Sequence, residues 1–176
     1  MTNLTLFRLP KPSGPRPPKV AAKVAHRVGV RAPAEVVWSL LADIEGWPAW
    51  QPVYPEASGA LKIGGRLSLV EAIPGEPPRT LAPVVLDWMP EEQILWTEGR
   101  WGGLVRVMHY IEIEALTDAG CALSCGEVYR GLLGDLFAAR HRKVLRRGFR
   151  AFCEAAQPRA EALWREGGGK PTSKPE

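Results

Sequence analysis

The chain has 176 residues, enough for one domain with a substantial core and short for a two-domain enzyme. Hydrophobic residues make up 45% and charged residues 24%, as in ordinary globular domains, and no apolar run approaches the roughly 18 residues that a membrane-spanning helix requires. The net charge of +4 is unevenly spread, +7 over residues 1–31, −8 over 32–131, +4 over 132–166 and +1 over the last ten, so the central body is acidic and no nucleic-acid partner is expected.

Residues 1–19 interleave Pro10, Pro12, Pro15, Pro17 and Pro18 with Lys and Arg, a composition that favours extended polyproline II and predicts a disordered basic arm. They contain no apolar stretch followed by a small-residue cleavage site, so no secretory leader is expected and a cytoplasmic location is. From residue 20 the pattern alternates, with Val24, His26, Val28 and Val30 on one face, and predicts a half-buried strand. Pro33 suits the first turn of a helix, Glu35 complements its dipole, and Val36, Val37, Leu40 and Leu41 recur at helical spacing up to Asp43. Residues 44–55 hold Trp47, Pro48, Trp50, Pro52, Tyr54 and Pro55, too proline-rich for a long helix and too aromatic for a solvated loop. A short helical turn packed on an apolar surface is expected there.

Strand-like runs follow at 59–63, 66–73, 80–88 and 93–99, separated by Gly64-Gly65, Pro74-Gly75 and Met89-Pro90-Glu91-Glu92. Two longer strands, 104–116 and 121–130, are joined by a polar link at 117–120. Residues 132–166 drop the alternation and place Leu133, Phe137, Val144, Leu145, Phe149, Phe152 and Ala156 near i, i+3, i+4, i+7. That predicts a long amphipathic helix, ended or kinked at Pro158 and stopped by Gly167-Gly168-Gly169, with a polar tail over 167–176. The expected fold is α+β: about seven antiparallel strands, two short helices after the first strand and a long C-terminal helix, in one domain over 20–166.

Cys121 and Cys125 lie four apart on one predicted strand, roughly 13 Å at ~3.3 Å per residue, too far to bridge each other. They read as reduced thiols. There is no CxxC, no HExxH, no dinucleotide glycine loop and no phosphate loop, so neither a metal nor a cofactor is expected.

The segment Ala32-Pro33-Ala34-Glu35-Val36-Val37-Trp38, with Leu41-Ala42-Asp43 and Trp47-Pro48-Ala49-Trp50 after it, resembles the opening of bacterial members of the START-like (SRPBCC) superfamily, in particular its polyketide cyclase/dehydrase group. The Gly64-Gly65 pair, the Trp88-Met89-Pro90 turn with Leu95-Trp96, and Glu127-Val128-Tyr129-Arg130-Gly131 fit later landmarks of the same superfamily, over residues 20–166. The resemblance implies the helix-grip fold of the birch-pollen allergen, a curved antiparallel sheet around one long helix. It also implies a hydrophobic ligand such as a lipid, sterol or polyketide, with some relatives enzymes and others carriers. A bent sheet and a straight helix cannot touch everywhere, and the space left between them is where a small molecule would sit.

Period-two alternation then selects candidate site residues. In the run 104–116, Val107, His109 and Ile111 share the apolar face; in 121–130, Leu123, Cys125, Glu127 and Tyr129 do; in 66–73, Glu71 does. His109, Glu127 and Glu71 are the candidate acid–base groups, since a buried carboxyl or imidazole needs a partner or a purpose. Trp38, Trp50, Tyr54, Trp96, Trp101 and Tyr129 are candidate walls of a ligand cavity, together with Phe137 and Leu145 from the helix. The same residues also fit plain core packing. Three functions follow: binding of a small hydrophobic ligand, which the scarcity of inward polar residues favours; a cyclase/dehydrase-like enzyme using the three acid–base groups; or a protein-interaction module presenting Trp47 to Trp50 or the basic helix. Arg140, Lys143, Arg147 and Arg150 form a stripe on that helix, read as a solvated face or as a transient contact with anionic lipid headgroups aided by the arm.

Overall fold

A computed structural model describes residues 22–169; the basic arm and the end of the tail lie outside the described residues. Among the described residues eight strands form two antiparallel sheets. β1 (Ala22–Val30) is followed by α1 (Ala34–Ala42) and a 3-10 turn (Ile44–Ala49). β2 (Glu56–Ser58), β3 (Ser68–Glu71) and β4 (Arg79–Leu81) make the small sheet. β5 (Val84–Met89), β6 (Gln93–Arg100), β7 (Val105–Thr117) and β8 (Gly120–Arg130) complete the large one, ordered β1-β8-β7-β6-β5, and α2 (Gly134–Glu166) closes the fold. This is the helix-grip arrangement, with α2 packed on β1, β8 and β7.

Two strand runs differ from the sequence reading, each for a local reason. The run 80–88 is two strands, because Pro83 has no N–H to give a ladder and the pairing breaks at Ala82-Pro83. The run 59–63 is irregular and ends in a turn at Ile63-Gly64, where the φ of 77° at Gly64 suits glycine, and the pairing strand lies just before it as β2. The small sheet is not detached: Gly64 N donates to Val85 O at 2.8 Å, Val85 N to Gly65 O at 2.8 Å and Leu67 N to Pro83 O at 3.0 Å, stitching it to the β5 edge. Pro158, which removes one N–H from the ladder, does not end α2.

The predicted phases of β3, β7 and β8 hold, and their apolar inward residues share one core with Phe149, Phe152, Cys153 and Ala156 of α2. Trp47 is fully buried, its rings 5.4 Å from both Tyr54 and Phe152, and its Nε1 donates to Leu41 O at 3.0 Å. The Trp47 to Trp50 segment therefore packs inward, with Trp50 half-buried against Phe152. The Gln51 side chain shapes the following loop by accepting from Val53 N and Tyr54 N and donating to Tyr54 O. Arg140, Lys143, Arg147 and Arg150 are exposed along α2, Arg147 paired with Glu76 and Arg150 with Glu154. Among the described residues no helix is long and apolar enough to cross a membrane.

Cys121, Cys125 and Cys153 are all buried free thiols. Burial pushes the Cys121 thiol up to about 11 and holds Cys125 well above the ordinary thiol range. The reactive species is the thiolate, so the native protein is expected to resist alkylation by iodoacetamide at neutral pH and to take up three equivalents once unfolded, counted by mass spectrometry. Rapid labelling of the folded chain would contradict this packing.

Candidate functional site

Strand register lines up three polar positions across the large sheet. Trp96 on β6 is opposite His109 on β7, and His109 is opposite Glu127 on β8. The His109 ring lies flat on the Trp96 indole, with centroids 4.1 Å apart and planes 9° apart, while Phe149 of α2 meets its edge. His109 Nδ1 is 3.4 Å from Glu127 Oε1, and Nε2 is 3.3 Å from Cys125 Sγ. A carboxylate can only accept, so this geometry places the proton on Nδ1 and leaves Nε2 to accept from the thiol.

Glu127 is the hub of this network. Arg100 Nη2 donates to its Oε1 at 3.1 Å and Tyr129 Oη donates to its Oε2. Arg100 also pairs with Glu98, which lies 3.9 Å from Arg79, and Arg79 Nε donates to Glu71 Oε2 at 2.5 Å. Glu71 thus joins His109 and Glu127 only through the chain Arg79, Glu98 and Arg100. Burying a carboxylate pushes its pKa up; for Glu127 this is outweighed by the Arg100 charge and then by His109 and Tyr129, which bring it down to about 2. Burial disfavours the Arg100 guanidinium, but Glu127 and Glu98 more than restore it, and burial with the Glu127 charge keeps the Tyr129 phenol protonated.

That shift sets a pH dependence. Because the folded pKa of Glu127 is depressed, its stabilisation is complete above the unfolded carboxylate range near 4.3 and is lost as pH falls toward about 2. Urea titrations at a series of pH values should show stability falling across that window and a shallower fall in Glu127→Gln. A flat profile between about pH 4.5 and pH 2.5 in the unmodified protein would contradict the assignment.

A pocket of about 270 Å³ opens between the 71–79 segment and the first half of α2. Ile73, Phe137, Val144 and Leu145 give it apolar walls, and Glu71, Arg100 and His141 face it among them. The Arg147–Glu76 ion pair, at 3.2 Å, links α2 to the segment at the pocket's rim. A wider groove along β4, β5 and β6 shares Arg79, Arg100 and Phe137 with it and has Trp101 on its wall.

The expected site residues are therefore distributed. Glu71, Phe137 and Leu145 stand together on the pocket wall, and Trp101 packs edge-on against Phe137 at 4.9 Å. His109, Glu127, Trp96, Val107, Ile111, Leu123, Cys125 and Tyr129 are buried behind that wall in the packed interior. Tyr54 belongs to the Trp47–Phe152 cluster, Trp38 stacks on Trp88, and Trp50 lines a separate depression with Pro158 and Leu163. Arg100 and His141 are among the pocket residues that went unrecognised in the sequence. Arg100 shares the inward phase of Ile94 and Trp96, and extending that alternation by two steps would have found it. His141 follows Phe137 by four residues and so shares its helix face.

The family model described as polyketide cyclase / dehydrase and lipid transport matches residues 21–161. Among solved structures, the fold is similar to the ZhuI aromatase/cyclase from Streptomyces sp. R1128, with a TM-score of 0.68, 22% identity, and coverage of 85% of this chain and 99% of that one. It is similar to a START superfamily protein from Mycobacterium smegmatis, with a TM-score of 0.62, 20% identity, and coverage of 80% and 98%. It is also similar to norcoclaurine synthase from Thalictrum flavum, with a TM-score of 0.62, 17% identity, and coverage of 82% and 96%. At these identities the likeness is one of fold. No curated protein matches the chain.

Proposed function

The chain belongs to the polyketide cyclase / dehydrase and lipid transport family, and from that membership we propose that it binds a small, largely apolar molecule in the pocket between the 71–79 segment and α2. The observation that carries this reading is the make-up of the pocket: an apolar wall of Ile73, Phe137, Val144 and Leu145 against which Arg100 presents the outer end of a buried ion network. Burial of apolar surface would supply most of the affinity and the few polar groups the orientation. About 270 Å³ suits a molecule of two or three rings better than a long-chain lipid.

The family's description covers both turnover and carriage. Binding is favoured because His109 and Glu127, the best-coupled acid–base pair, are sealed behind Trp96, Phe149 and Arg100 and do not line the pocket. A general acid or base must reach the reacting atom directly or through one water. Val144→Trp, at a half-buried pocket position, is expected to weaken uptake of the neutral probe N-phenyl-1-naphthylamine by about tenfold or more with little change in Tm. Unchanged uptake would move the binding site elsewhere.

A further inference from the structure

The charged groups around the pocket are already engaged. Glu71 is held by Arg79, Glu76 by Arg147, and Arg100, the group that a carboxylate ligand would be expected to seek, is committed to both Glu98 and Glu127. Taken together these ion pairs contain four carboxylates and three guanidinium groups, so the wall carries no positive charge to spare.

His141 stands apart from them. Its Nδ1 lies 2.9 Å from Phe137 O, and a carbonyl can only accept, so Nδ1 carries the proton. Its ring stacks on Phe137 with centroids 4.2 Å apart and meets Trp101 edge-on at 6.2 Å, which fixes its orientation. Nε2 is left as a lone pair with no partner among the described residues, on a side chain that lines the pocket. Resting on the binding reading above, we infer that the pocket selects a neutral ligand that donates a hydroxyl or N–H hydrogen bond to His141 Nε2, and that it rejects the carboxylate of the same skeleton.

Three probes of one ring system test this by equilibrium dialysis: naphthalene, 2-naphthol and 2-naphthoate. Adding a hydroxyl makes the probe less hydrophobic, so a pocket without a partner for it would bind 2-naphthol no better than naphthalene. The expected order is 2-naphthol about three- to tenfold tighter than naphthalene, with 2-naphthoate about tenfold or more weaker than 2-naphthol. In His141→Leu the preference for 2-naphthol over naphthalene should vanish, and His141→Gln, which restores an acceptor, should recover part of it. Equal binding of 2-naphthol and naphthalene to the unmodified protein would overturn the role of His141 while leaving the binding reading intact. Tightest binding of 2-naphthoate would overturn the charge argument, and binding of none of the three would overturn the binding reading and this inference with it.

Discussion

Arg100→Met is expected to destabilise the protein by about 3–5 kcal/mol at neutral pH, the range for removing one partner of a buried ion pair. The side chain of Glu127 is 2% exposed and that of Glu98 13%, and Arg100 lies between them as the cation common to both. Without it Glu127 keeps only His109 and Tyr129 as partners for a buried charge. The pH dependence should weaken as well. With Arg100 gone, only His109 and Tyr129 oppose the effect of burial on Glu127, so its folded pKa rises toward the unfolded value and less stability is lost between about pH 4.5 and pH 2.5 than in the unmodified protein. Arg100→Met combined with Glu127→Gln should recover part of the loss, because the stranded charge is gone. A single Arg100→Met that loses less than about 1 kcal/mol in urea unfolding would show that the network is not what holds this end of the sheet.

Trp47→Ala should be almost as damaging, by about 3–5 kcal/mol. Its indole is wedged among Tyr54, Trp96 and Phe152, which joins the 3-10 turn to β6 and α2, so the surroundings cannot collapse into the space without moving several elements. The substitution also removes the donor to Leu41 O. Trp47→Phe keeps most of the ring and should cost clearly less. Equal costs for the two variants in denaturant titrations would mean that packing at Trp47 is not the source of the loss.

Alternation made the inward rows of β3, β7 and β8 legible, because each runs for several residues with one face apolar and a slip of one position would have exposed it. The same alternation places His109, Glu127 and Glu71 on the inward faces. The partners that make their burial tolerable were harder to read. Arg79 and Arg100 each sit one residue beyond the predicted runs 80–88 and 93–99, where long polar side chains look like strand ends facing water. The Trp47 to Trp50 segment could be read as aromatic and packed, but which indole goes inward depends on Phe152, more than a hundred residues later. The pocket itself was beyond sequence reasoning in a stronger sense. It lies between the 71–79 segment and the first half of α2, which Arg147 and Glu76 tie together at the rim, a relation between distant elements that no local pattern encodes.

The proposed ligand site lies between the 71–79 segment and α2. Native mass spectrometry of the protein purified from its own host, followed by denaturing extraction, tests it most directly. A defined apolar compound of small mass, bound one to one and lost in Val144→Trp, is the predicted result. An unliganded protein that also takes up no N-phenyl-1-naphthylamine would contradict it, leaving a pocket that its own side chains fill.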